Sequence, residues 1–283
     1  MTSHSPIKTV PEALAIIAGK GAYPRLLAES ARQQGVSRLF AVAFKGETDP
    51  VLGRMVDDIV WLHLGQLSAM LEALQASGVS QAVMAGQITP THLFRVRMDK
   101  AMLTLLASLK QRNAETIFGA VGDELKAIAV DLLPASLFME THMPAAGQLG
   151  ARAPTESEQR DIELGIRVAK TTSGLDIGQT VVIKEGTILA VEAFEGTDAT
   201  IKRAGELGGK GIVIVKVAKQ GHDMRFDIPV VGENTLKLLR KTGAAALAVE
   251  AGRSILLERE KIIAEADRMG LCLVAVNVRE NAL

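Results

Sequence analysis

The chain has 283 residues, 48% of them apolar and only 3% aromatic, with 32 basic and 32 acidic side chains in balance. That length suits two domains built from Ala, Val, Leu and Ile, and zero net charge excludes an electrostatic footprint for nucleic acid. The single cysteine, Cys272, permits neither an internal disulfide nor a cysteine-rich metal site and fits a reducing cytoplasm, and no apolar run approaches a membrane span.

The first half alternates strands and helices. A short strand at Leu14–Ala18 runs into Gly19-Lys20-Gly21-Ala22-Tyr23-Pro24 and a helix over Arg25–Gln34. Strands follow at Leu39–Phe44 and Asp58–Leu62, then a helix at Gln66–Ser77 closed by Gly78. Another strand, Gln81–Ala85, leads through Gly86-Gln87 to a helix from about Thr91 to Gln111. Such βαβ alternation predicts a Rossmann-like parallel sheet over residues 1–135. Ligands in such folds bind where loops leave the carboxyl ends of the strands, as Gly19–Tyr23 and Gly86-Gln87 both do.

Prolines and glycines without sustained periodicity place a linker at 136–154. Thr155-Glu156-Ser157-Glu158 then reads as a capping box, opening a helix to about Thr171 and a second α/β domain with a mixed sheet over 155–283. A hairpin pairs Thr180–Ile183 with Ile188–Glu192 around Lys184-Glu185-Gly186. Thr197 or Asp198 caps a helix through Leu207, and Gly211–Ala218 is a strand. Asp223–Ile228 alternates charged and apolar residues, and with Pro229 behind it reads as a further strand. In that strand one carboxylate faces a metal or water while the other pairs with Arg225. The chain closes with helix Asn234–Thr242, strand Ala245–Glu250, helix Arg259–Met269 and strand Leu271–Val276.

Several constellations point to phosphate chemistry. Gly19-Lys20-Gly21 before a helix offers close backbone approach to a phosphate. Pro24 stands where a dinucleotide fingerprint has its third glycine, and the second strand ends in Phe44-Lys45, without the acid that would hold an NAD ribose. Glu192, Glu195 and Asp198 stand together before a helix, and with Asp223 and Asp227 they form a set of hard oxygen donors suited to magnesium, with manganese as a substitute. Lys216 and Lys219 can neutralise a diphosphate. Glu250 is one more acid at a strand end. Asp227, Asp223 and Lys216 are the catalytic candidates. Gly19, Lys20, Gly21, Tyr23, Gly86, Gln87, Gln179, Gly196, Thr197, Lys219 and Arg225 are the candidate substrate contacts.

IAGKGAYPRLLAESAR, MAGQI, LDIGQTVVIKEGTILAVEAFEGTDATI, KVAKQGHDMRFDIPVVG and LAVEAGRSILLERE together resemble the UDP-2,3-diacylglucosamine pyrophosphatases of lipid A synthesis. The type is the one unrelated to calcineurin-like phosphoesterases, whose clustered Asp/His signature is absent. The resemblance implies a magnesium-dependent hydrolase acting on an acylated UDP-sugar. It also implies a homodimer in a Gram-negative cytoplasm, peripheral to the inner membrane. Helices around Met98–Leu106 are expected to line an apolar groove for the acyl chains. The rival readings are an NAD(P)-type Rossmann oxidoreductase and a non-catalytic nucleotide-sugar-binding protein.

Overall fold

The structure is a computed structural model that describes residues 10–88, 97–175, 177–219, 223–226 and 228–278. It divides into two compact units, Met1–Met139 with Asp223–Asp227, and Glu140–His222 with Ile228–Leu283.

The first unit runs β1 (Ala13–Ala18), α1 (Tyr23–Gln33), β2 (Arg38–Phe44), β3 (Asp58–Leu62), α2 (Leu67–Ser77), β4 (Gln81–Ala85), α3 (Lys100–Ser108), α4 (Ala114–Ala127) and β5 (Asp131–Leu132). Its sheet is parallel throughout, in the order β3-β2-β1-β4-β5. Parallel strands are covered on both faces, which is why Leu14–Ala18 and Leu39–Phe44 are unbroken apolar runs with every residue buried. The order reverses between β1 and β4, and their carboxyl ends flank the position where open α/β sheets bind ligands.

The long helix expected from Thr91 is shorter where the structure describes it. Residues 97–99 are not helical, and residues 89–96 lie outside the described residues. Asp99 sets the start of α3 by accepting from Met102 N at 2.8 Å, and its other oxygen takes Ser68 N at 2.8 Å in the first turn of α2. One carboxylate therefore caps two helices. A new helix, α4, starts at Asn113, whose side chain accepts from Thr116 N at 2.8 Å.

The second unit contains β6 (Gly147–Gln148), α5 (Glu156–Ser173), β7 (Thr180–Lys184), β8 (Thr187–Val191), α6 (Thr197–Gly208), β9 (Val213–Lys216), β10 (Val230–Val231), α7 (Glu233–Thr242), β11 (Ala246–Glu250), β12 (Ile255–Leu256), α8 (Arg259–Met269) and β13 (Cys272–Val276). Its six-stranded sheet, ordered β6-β13-β11-β9-β7-β8, is mixed: β9, β11 and β13 are parallel, while β6 runs antiparallel to β13, β7 to β9 and β8 to β7. The expected linker thus contributes an edge strand to this sheet. Helix α5 covers one face through Ile162 and Ala169, and α6, α7 and α8 cover the other through Ile201, Leu236 and Ile262.

The capping box forms as read, with Thr155 Oγ1 accepting from Glu158 N and Glu158 accepting from Thr155 N. The α6 cap does not. Gly196 caps that helix with φ of +81° and no side-chain bond, so neither Thr197 nor Asp198 serves as the cap.

Asp223–Phe226 is a turn and not a strand. Asp223 Oδ1 accepts Arg225 N at 3.0 Å, and Phe226 N donates back to the Asp223 carbonyl at 3.3 Å. The turn belongs to the first unit: Met224 O accepts Ala135 N at 2.7 Å, and Phe226 is buried in that unit's core, 6.0 Å from Phe118. Its apolar residues answer to a core distant in sequence, and the alternation that imitates a strand has no partner strand among the described residues.

Candidate active site

In the first unit, the turns leaving β1 and β4 are stitched together. Gly19 N donates to Ala85 O at 2.8 Å, Lys20 N to Gln87 O at 2.7 Å, and Gln87 N to Lys20 O at 3.1 Å. The backbones pass so closely that a Cβ on Gly19 would lie 2.6 Å from Gln87 O, and one on Gly86 2.8 Å from Lys20 O. Glycine is required at both positions for that approach. The stitch takes up the Gly19 and Lys20 N–H groups. Lys20, Gly21, Gly86 and Gln87 stay exposed around it. Tyr23 is buried, its hydroxyl donating to the Ala135 carbonyl.

Asp223 holds Arg225 with both oxygens, at 3.0 Å from Nε and 2.6 Å from Nη2. That carboxylate, accepting the guanidinium hydrogen bonds, raises the Arg225 pKa against the opposing effect of burial. Asp223 is thus paired with arginine. Asp227 and His222 lie outside the described residues.

In the second unit the structure brings Glu192, Thr197 and Lys216 into one chain of hydrogen bonds. Lys216, ending β9, and Glu192, just after β8, are each 7% exposed. Lys216 Nζ donates to Thr197 Oγ1 at 3.0 Å, and that hydroxyl donates to Glu192 Oε1 at 3.0 Å. Glu192 Oε2 takes Gln179 N at 3.3 Å, and Thr180 Oγ1 stands 3.3 Å from Thr197 Oγ1. The pairing of β7 with β9 puts Thr180 opposite Lys216, so the sheet itself brings these groups to one end. Freed from capping, Thr197 links a buried cation to a buried anion. Lys219 is half-exposed three residues further on.

Glu195 and Asp198 of the expected metal set also lie in the second unit. Glu195 accepts from Ala193 N at 3.1 Å, Thr200 Oγ1 at 3.3 Å and Arg203 Nη2 at 2.6 Å. Burial pushes its pKa up, but Arg203 and the backbone N–H groups outweigh it and leave the carboxyl below its usual value. Asp198 is exposed on the first turn of α6. No three His, Cys, Asp or Glu side chains among the described residues are grouped to hold a metal ion.

Two residues that sequence reasoning left aside also matter. Lys170 on α5 makes a buried ion pair with Glu250 at 2.8 Å. It stands beside the helix's own buried stripe of Ile162, Ala169 and Ser173, and a lysine there is the signal that marks it. Asp161 accepts from Glu185 N and Gly186 N at 2.8 and 2.7 Å and so fixes the β7–β8 turn.

The first unit has a parallel sheet with its topological reversal between two glycine turns, and the second a mixed sheet that buries a lysine at one end, so the chain is a two-unit α/β protein. Residues 13–142 match the LpxI N-terminal domain and residues 145–274 the LpxI C-terminal domain, and the chain belongs to the LpxI family. It is 32% identical over 279 residues to the UDP-2,3-diacylglucosamine pyrophosphatase LpxI of Caulobacter vibrioides, covering 94% of this chain and 98% of that one. Among solved structures, the biotin carboxylase domain of the Hydrogenobacter thermophilus 2-oxoglutarate carboxylase aligns at 11% identity over 69% of this chain and 40% of that one. Its TM-score is 0.25.

Proposed function

We propose that this chain hydrolyses the diphosphate bond of UDP-2,3-diacylglucosamine, releasing UMP and 2,3-diacylglucosamine 1-phosphate for lipid A biosynthesis. The observation that carries the reading is the 32% identity to a pyrophosphatase of that name along nearly the full length of both chains. In the reaction, water forms a new bond to one phosphorus, and the bridging oxygen leaves with the other phosphate.

Lys216 meets the diphosphate charge, which grows on the departing phosphate, from a site where burial strengthens the interaction. Thr197 keeps the lysine directed and Glu192 balances it. Asp227 positions the attacking water or a metal. Magnesium, with manganese as substitute, is part of the same proposal: one or two carboxylates, Asp227 among them, would help to hold it, and it would supply additional charge neutralisation. Helix α3, with Leu103 56% exposed, is the proposed acyl-chain contact. Homodimerisation and a cytoplasmic location peripheral to the inner membrane complete the reading. Among the described residues no helix is long and apolar enough to cross a membrane.

The test is incubation of the purified chain with UDP-2,3-diacylglucosamine and magnesium. UMP should appear, stop after exhaustive chelation and return with added magnesium. Binding of the UDP-lipid without UMP would leave a nucleotide-sugar-binding protein, and full turnover after chelation would remove the metal from the proposal.

A further inference from the structure

Glu250 ends β11 at 2% exposure and Lys170 on α5 is 4% exposed, so both charges are out of water. Lys170 Nζ donates to Glu250 Oε2 and to the Ala218 carbonyl, both at 2.8 Å, and Glu250 Oε2 accepts Ala218 N at 2.9 Å. The pair thus holds both backbone groups of a single residue. The strand register explains why it is needed. Strands β9 and β11 pair from Val213 opposite Ala246 as far as Lys216 opposite Val249. Beyond that point, Val217 N turns to Gln179 O at 3.0 Å, and Ala218 meets side chains instead of a neighbouring strand. A buried ion pair is an inefficient source of stability, because desolvation offsets much of the attraction and apolar residues of similar volume often serve as well. Geometry is the better account of this one.

We propose that Lys170 and Glu250 are positioning residues: by clamping the Ala218 peptide they fix the course of the chain out of β9, and with it the placement of Lys216 and Lys219. The proposal rests on the reading of Lys216 as the cation that meets the substrate's diphosphate. A displacement of that cation weakens charge stabilisation in the transition state more than it weakens binding of a substrate held also by uridine and acyl contacts.

The experiment compares two double variants of the full chain. Lys170→Met/Glu250→Leu removes both charges and both bonds to Ala218. Lys170→Met/Glu250→Gln also removes the charges but keeps an amide oxygen for the Ala218 N–H. The Leu variant leaves the buried Ala218 N–H and C=O without partners and should melt several degrees below the parent, while the Gln variant, which keeps the N–H satisfied, should melt closer to it. The Leu variant should lose about tenfold or more in kcat with KM within about threefold, and the Gln variant should recover most of the loss. Hydrogen exchange at the Ala218 amide should be faster in the Leu variant than in the Gln variant. Equal turnover of the two double variants and the parent, or unchanged exchange at Ala218 in the Leu variant, would overturn the clamp. If the Leu variant does not fold, Glu250→Asp, which withdraws the carboxylate by one methylene, is read by the same two measurements. A parent chain that releases no UMP would defeat the functional reading alone, leaving the Ala218 exchange rate to decide the clamp.

Discussion

Lys216 Nζ stands 3.0 Å from Thr197 Oγ1, and the same hydroxyl stands 3.0 Å from Glu192 Oε1. One oxygen thus serves two nearly buried charges. Thr197→Val keeps the side-chain volume and removes that oxygen. A hydrogen bond to a charged group contributes about 1.5–3 kcal/mol, so the variant should melt several degrees lower and turn over slowly. Thr197→Ser should restore both properties. Lys216→Met should lower turnover about a hundredfold, as removal of one transition-state donor does elsewhere. Melting curves and UMP release check all three, and a Val variant indistinguishable from the parent would show that the hydroxyl organises nothing.

Gly165 lies where α5 crosses the second sheet. A Cβ there would fall 2.5 Å from Val215 Cγ2 and 2.7 Å from Ile183 Cδ1, and both side chains are fully buried. Alanine normally favours a helix over glycine by about 1 kcal/mol. Overpacking of a tight core typically costs about 1–3 kcal/mol, so the clash wins here. Gly165→Ala should melt a few degrees below the parent. A rise in melting temperature would mean that the helix can lift off the sheet at little cost.

Glu158 accepts from Arg152 Nη1 and Nη2 at 2.8 and 2.9 Å and from Thr155 N at 2.8 Å. Burial pushes its pKa up, yet Arg152 and the Thr155 N–H outweigh it, so the carboxyl titrates below its ordinary 4.5. A group lowered in the folded state stabilises the fold above its unfolded pKa, and that contribution is lost as pH falls through the folded value. The parent should therefore be more stable than Glu158→Gln at neutral pH, with the gap closing as pH falls below the ordinary 4.5. Denaturant titrations at several pH values measure the gap, and one that stays constant to pH ~3 would contradict the linkage.

Locally determined features were legible in the sequence. The boundaries of β3, β4 and α8 match their reading because each is an apolar pattern between clear stops, and the Thr155 capping box needs only residues three apart. Features that depend on distant partners were not legible. Asp223–Phe226 imitates a strand, but its conformation is set by Ala135 and Phe118, roughly a hundred residues away in the chain. The Lys170–Glu250 pair joins positions 80 residues apart, so no local pattern reports it. The lysine, threonine and glutamate of the second-unit cluster were each visible singly. Their junction depends on which strand lies beside β9, and Thr197, which sequence reasoning offered to a helix cap, is the group that joins them.

The two aspartates of the DMRFD stretch should respond differently to removal. Asp223 is committed to the Arg225 backbone and guanidinium, and the turn they make precedes Phe226, buried in the first unit's core. Its side chain is 29% exposed, so the pair is partly screened and the loss is modest. Asp223→Ala should thus lower the melting temperature and loosen the turn, with lower turnover as a consequence of the altered fold. Asp227 lies outside the described residues, and its proposed role is the water or metal at the reacting phosphorus. A positioned base contributes about 10²–10⁴ in rate, while uridine and acyl contacts still supply affinity. Asp227→Ala should fold, bind the UDP-lipid like the parent and turn over at least a hundredfold more slowly. Melting temperature, substrate affinity and single-turnover rate on both variants separate the two roles. If Asp227→Ala retains near-parent turnover, or if Asp223→Ala is the variant that binds normally, melts normally and is inactive, the chemistry belongs to the other carboxylate.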